Sequence, residues 1–189
     1  MSTPTATLNL MLDAVTADTA SLHSGYPGSA GTSNEITGSA YTRESITIAA
    51  ADGGERAAST TPVFDVDAGT TISWLGLWNS TTFRLPVPLG SAGWHPIITD
   101  PSTDVITCEA HGFSSGQTVV FSGTMPGGLT EGTTYYVRDV TTDTFKVAAT
   151  SGGDAIDITA DGEARVSKIT PVTFSTTGTY TLSALSLEF

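Results

Sequence analysis

The sequence predicts a mostly β protein: an Ig-like or jelly-roll β-sandwich carrying an inserted small β-barrel or sandwich module, with one short N-terminal helix. Three observations lead there. Twenty glycines and nine prolines in 189 residues supply many chain reversals. Charged residues make up only 14% of the chain, against roughly 25% in ordinary soluble domains, and Thr and Ser fill the remaining polar positions. Thr is β-branched and favours strands. Beyond residue 15 the apolar residues recur with a period of two, the alternation of a strand.

The helix is expected over residues 8–15, LNLMLDAV, where Leu8, Met11 and Val15 fall at spacings of three and four with Leu10 and Ala14 alongside. ESITIAA (44–50) then places Ile46 and Ile48 on one strand face. ADGGE (51–55) is a turn signal. VFDVDAG (63–69) alternates Phe64 with Val66. TTISWLGLW (70–78) carries Ile72, Trp74, Gly76 and Trp78 on one side and Leu75 and Leu77 on the other, so this strand is expected to be covered on both faces. LPVPLGSAGW (85–94), with two prolines and two glycines, reads as an edge or loop segment.

Near residue 100 the texture changes. DVITCEAHGFSSGQTVVFSG, TTYYVRDVTTDTFKVAAT and SGGDAIDITADGEARVSKI read as four or five short strands with glycine turns, a self-contained β-module. After Thr170-Pro171 the first texture returns in VTFSTTGTYTLSALSLEF, whose apolar end, closing on Phe189, should pair into the first domain or a neighbour. The division follows: residues 1–98 plus 170–189 form a discontinuous host domain, and residues 99–169 are inserted into it. Both parts are acidic, with four basic against ten acidic residues in the insert and three against nine in the host.

Net charge −12 with only seven Lys plus Arg disfavours nucleic acid and anionic membrane surfaces as partners. Cys108 is the single cysteine, which excludes an intrachain disulfide and a cysteine-based zinc cluster. No signal peptide or membrane-spanning run is visible, so synthesis in the cytoplasm is expected.

Candidate chemistry is thin. His23, His95 and His111 lack metal-ligand spacing, and Cys108 with His111 makes only one C-x-x-H pair. Cys108 is expected to be a small buried residue and His111 to cap a turn. Gly112-Phe113-Ser114-Ser115-Gly116 has the G-x-S-x-G spacing of a nucleophile elbow but lacks its strand–turn–helix context, and such matches are expected by chance in a chain this rich in Gly and Ser. Asp65 and Asp67 share a strand face, where a solvated role is the ordinary one. No catalytic residue, metal ligand or cofactor is therefore assigned. Trp74 and Trp78 suit a core, whereas Trp94, together with Tyr135, Tyr136 and Phe121 of the insert, are candidates for exposed contacts of the kind that stack on sugars.

The segment SLHSGYPGSAGTSNEITGSAYTR (21–43) joins two strands through a glycine-rich crossover. It reads as an ordered loop clasped by His23, Asn34, Glu35, Tyr41 and Arg43, with Glu35 expected to pair with Arg43 or to bond nearby amides.

These residues also carry a resemblance. Leu22-His23, Pro27-Gly28, Gly31 to Asn34-Glu35-Ile36, Gly38 to Tyr41-Thr42-Arg43, Gly76-Leu77-Trp78 and Gly178 to Leu182 follow the order seen in small virion structural proteins of tailed bacteriophages, often described as tail-fibre-like. The insert resembles a second phage β-module through His111-Gly112-Phe113, Gly116, Val119, Leu129, Gly132, Tyr135-Tyr136-Val137 and Thr144 to Val147. The resemblance implies a non-enzymatic virion protein made in the bacterial cytoplasm, with other virion proteins (major capsid or tail) as partners, and assembly as a homo-oligomer. A capsid decoration protein is the first reading. A minor tail or fibre-like protein, with host-surface glycan binding through the insert, is the alternative.

Overall fold

A computed structural model describes residues 5–38, 40–91, 93–183 and 185–188. In chain order they form α1 (Thr5–Asp13), β1 (Thr19–His23), β2 (Glu44–Ser45), β3 (Glu55–Ala57), β4 (Val63–Val66), β5 (Thr71–Ile72), β6 (Trp74–Asn79) and β7 (Thr82–Pro88). There follow β8 (His95–Pro96), β9 (Ile98–Asp100), β10 (Val105–Thr107), β11 (Thr118–Gly123), β12 (Tyr135–Arg138), β13 (Thr144–Ala148) and β14 (Ala164–Lys168), then β15 (Val172–Thr173), β16 (Gly178–Thr181) and β17 (Ser186–Glu188). The protein is thus mostly β, with antiparallel sheets and one short N-terminal helix. It divides into two compact units, Met1–Leu89 with Pro171–Phe189, and Gly90–Thr170. The second unit begins earlier than residue 99, because β8 is hydrogen-bonded to β14 and so belongs to the module.

In the first unit, β2-β1-β6-β7 make one sheet. β7 lies at its edge, where Pro86 and Pro88, lacking N–H groups, are tolerated. Its hairpin with β6 turns at Ser80, which adopts φ 54 and whose N–H is held by the Asp18 carboxylate. The remaining strands form three two-stranded ribbons, β5 with β15, β4 with β16 and β3 with β17. The C-terminal segment therefore runs back along residues 55–72, pairing each strand in reverse order. Phe189 and Ala184 lie outside the described residues. The core takes Ala20 and Leu22 from β1, Leu75 and Leu77 from β6, Phe64 and Val66 from β4, and Leu182, Leu185 and Leu187 from the returning chain, with Ile46, Ile48 and Leu12. At on the order of 25 cal/mol per Å² of apolar area, this shared burial is what joins sheet and ribbons.

The helix differs from its expected form. It starts at Thr5, and it buries Leu12 while leaving Leu10 and Met11 exposed. Met11, expected on the apolar stripe, is thus turned to solvent. What holds its end is Arg56 of β3, whose guanidinium donates to the carbonyls of Leu12, Val15 and Ala49. Leu12 and Val15 lie at and just past the end of α1, where carbonyls run out of helical donors and a cation complements the helix dipole.

The second unit holds seven strands rather than four or five, in the order β8-β14-β11-β12-β13-β10-β9. Its first and last strands are neighbours in sequence, separated only by Ile97. One bent segment thus pairs with β14 through His95 and Pro96 and with β10 through Ile98 to Asp100, which closes the sheet into a barrel. Ile106, Val119, Phe121, Val137, Phe145, Val147, Ile158 and Val166 fill the interior.

Candidate functional site

The two faces of β6 have different coverings. Leu75 and Leu77 enter the core, whereas Trp74, Gly76 and Trp78 lie under the loop that leaves β1 at His23 and returns at Glu44. Tyr26 packs edge-on to Trp74 at 5.2 Å, Phe83 packs edge-on to Trp78 at 5.0 Å, and the Arg43 guanidinium sits 3.6 Å above the Trp78 ring. Both tryptophans are buried, beneath a loop rather than between sheets.

The loop keeps strand-like contacts with β1. Ser24 N–H donates to Asn34 C=O at 2.8 Å and Ile36 N–H to Leu22 C=O at 3.0 Å. Asn34 turns the chain with φ 57 and donates its amide to the Tyr26 carbonyl at 2.8 Å. Gly31, at φ +72, leaves room for the Phe83 ring, which a Cβ would meet at 2.1 Å.

Glu35 accepts two hydrogen bonds from Arg43, from Nε at 2.8 Å and Nη2 at 2.7 Å, and a third from the Tyr41 hydroxyl at 3.2 Å. The Tyr41 oxygen in turn accepts the Leu22 N–H at 2.9 Å. Burial alone would raise the Glu35 carboxyl, but the Arg43 hydrogen bonds and charge, with the Tyr41 hydroxyl, hold it below its ordinary 4.5. Glu35 raises Arg43 in return, and burial, with the Glu35 charge, pushes Tyr41 well up.

Beneath this lies a chain of neutral groups. His23 Nδ1 is 2.9 Å from the Ser33 carbonyl oxygen. A carbonyl can only accept, so Nδ1 carries the proton and Nε2 is bare. Nε2 then accepts the Ser21 hydroxyl at 2.7 Å, and the Ser21 oxygen accepts Trp78 Nε1–H at 2.7 Å. Gly76 makes this possible, since a Cβ there would lie 2.5 Å from Ser21 Oγ and 2.8 Å from His23 Nε2. Burial lowers His23 below 6.5, and the Arg43 charge adds to the shift; the Ser33 carbonyl and Glu35 oppose it. A Ser–His pair at this distance has the reach of a nucleophile and base. Here both side chains are fully buried, and a carbonyl stands where an orienting carboxylate would be. The arrangement anchors the loop.

Of the five clasp residues, His23, Glu35, Tyr41 and Arg43 meet on this face, while Asn34 bonds within the loop, to Tyr26 and Ser24. Sequence reasoning missed Ser21 and Trp78. The signal was present: Ser21 and His23 lie two apart on β1, which directs them to one face, opposite Ala20 and Leu22.

In the second unit the candidate contacts separate. Trp94 is half-buried, with the Arg165 guanidinium 5.2 Å from its ring. Tyr136 is half-buried. Tyr135 is no exposed contact: its ring is buried edge-on to buried Phe121 and its oxygen accepts the Thr130 N–H. The alternation of β12 sends Tyr135 inward with Val137. Cys108 is buried, and His111 accepts the Phe113 N–H at Nδ1 while packing against Phe113 and Phe145. A cleft of about 610 Å³ opens beside β9 and β14, lined by Pro96, Ile98, Ser122, Asp161, Glu163 and Arg165. Thr99, which also lines it, donates to Asp161. No group of three or more metal-binding side chains converges among the described residues, and no helix among them is long and apolar enough to cross a membrane.

A family model described as podophage GP4 fiber I protein gp80 matches residues 5–106. The chain belongs to that family. The matched stretch runs from the start of α1 through the clasp and β6, and ends in β10. No curated protein and no solved structure matches the chain. Membership in the gp80 fibre family gives the protein a phage structural, fibre-like character. It favours the fibre-like alternative over the capsid-decoration reading, which the match does not support.

Proposed function

We propose that this gp80-family chain is a structural subunit of a phage tail fibre or its attachment, assembled as a homo-oligomer with other tail proteins. In this reading the first unit, which we take as an Ig-like or jelly-roll sandwich, docks on the tail, and the second unit faces solvent. The observation that carries it is the fibre-family match over residues 5–106. The clasp supports the same role, because its polar groups are spent on each other and fix a surface loop in one shape. The test is to locate the protein on virions with an antibody raised against the full chain. Label at the tail is expected; label confined to the capsid shell would overturn the fibre reading.

A second reading, glycan binding by the second unit, draws on its cleft. Apolar Pro96 and Ile98 lie beside the carboxylates of Asp161 and Glu163, a combination that suits the apolar face and hydroxyls of a sugar. Binding of the full chain to a panel of bacterial surface glycans, lost in Asp161→Ala, is the expected result. Equal signals from both proteins, or none from either, would reject this site.

A further inference from the structure

We propose that His23 is a proton-operated latch on the 24–38 loop: as a neutral imidazole it holds the loop to the sheet, and as an imidazolium it releases it. The hydrogen-bond directions lead to this. Ser33 fixes one proton on Nδ1, so the next proton must go to Nε2. Nε2 then stops accepting the Ser21 hydroxyl and becomes a second donor aimed at an oxygen that already accepts from Trp78. The displaced Ser21 hydrogen is left with the Gly76 carbonyl at 3.4 Å, a poor bond. Gly76, with no side chain, packs the strand against both groups and leaves little room to rearrange.

The new charge also lacks a free counter-ion. The ionisable groups acting on the ring are Glu35 and Arg43, both from the covering loop. Glu35 already serves Arg43 and Tyr41, and Arg43 repels an imidazolium. β1 and β6 offer Ser21, Gly76 and Trp78, none of which ionises near neutral pH. A fully buried cation without a partner is costly, and hydration through loop opening is the direct relief.

The sign follows from linkage. A histidine whose value is depressed in the closed form favours closure fully above the ordinary value of 6.5, and loses that contribution as pH falls through it. Across the window below, the ratio of open to closed loop rises up to about ten-fold per pH unit. His95 and His111 belong to the second unit, so within the first unit a histidine-linked transition in this range can be assigned to His23. The proposal holds whichever part of the virion carries the protein.

The test is NMR of the full chain from about pH 8 to about pH 5, the range in which histidine titrates. The His23 ring signals should titrate below the ordinary value, and the amide signals of Ser24, Ser33 and Ile36 should change with the same midpoint. His23→Gln, which can accept from Ser21 but cannot charge, should keep those amides unchanged across the range. Loop signals that ignore the His23 titration, or an identical transition in His23→Gln, would overturn the latch. If His23→Gln does not fold, Ser21→Ala decides: removing the hydroxyl that favours the bare nitrogen should move the loop midpoint upward, and an unmoved midpoint counts against the proposal.

Discussion

Replacing Glu35 with Ala is the most direct test of the clasp. The substitution removes a bidentate partner from Arg43 and an acceptor from the Tyr41 hydroxyl. Hydrogen bonds to charged groups each contribute about 1.5–3 kcal/mol net. Breaking a fully buried ion pair by deleting one partner costs about 3–5 kcal/mol. The Arg43 and Glu35 side chains keep 32% and 21% of their exposure, so water partly compensates, and about 2–3 kcal/mol is the expected loss. Arg43→Ala should cost about the same, since it also gives up the contact with Trp78, worth about 0.5–1 kcal/mol. Because both variants remove one interaction, the double variant should be less destabilised than the sum by about 1–2 kcal/mol. Urea unfolding monitored by tryptophan fluorescence measures each value, with Trp74 and Trp78 reporting the first unit. A Glu35→Ala loss under about 0.5 kcal/mol, the range of an ordinary surface change, would refute the clasp as an energetic element. So would the absence of coupling.

Three further outcomes are expected. Gly76→Ala drives a methyl group into Ser21 and His23 and should destabilise the first unit by about 2–4 kcal/mol, read from the same urea curves. Arg56→Met strips donors from the end of α1; amides in residues 5–13 should exchange with solvent at least about ten-fold faster, as for a loss of about 1.4 kcal/mol or more. Glu35, held below its ordinary 4.5 in the folded chain, contributes stability that is present above that value and lost as pH falls below it. Glu35→Gln should therefore flatten the acid limb of thermal stability measured by circular dichroism.

What the sequence made legible follows from the range of the interactions involved. Alternation put Phe64 with Val66 and Ile46 with Ile48 on one face, and separated Leu75 and Leu77 from Trp74 and Trp78, because a strand's side-chain directions are set by its own backbone. Which side of β6 meets the core was decided by the loop that covers the tryptophans. The helix was less legible: Leu12 rather than Met11 turns inward because the surroundings of α1 are supplied by residues far along the chain, among them Arg56. Ile97 concealed the closure of the barrel, since a bend between two short pairings leaves one continuous apolar–polar pattern. Tyr135 and Tyr136 look alike in composition, and only the phase of β12 separates the inward ring from the outward one. In the clasp, Glu35 and Arg43 drew attention by charge. Ser21 and Trp78 did not, because a buried serine and a strand tryptophan are common residues until their bonds are traced.

The reverse pairing of β15, β16 and β17 with β5, β4 and β3 sets an order of events during synthesis. Glu55 must wait for Glu188, and Val63 for Thr181. The intervening chain contains every strand of the second unit, whose pairings are all internal to Gly90–Thr170. As the chain emerges from the ribosome, the barrel has all its partners before the first unit has its ribbons. Until then β3, β4 and β5 present open edges, and Phe64 and Val66 lack the leucines of the returning strand. Such long separations slow folding and leave strand edges exposed to wrong partners. A nascent chain released to about residue 170 but no further would therefore carry a finished second unit and an unfinished, aggregation-prone first unit.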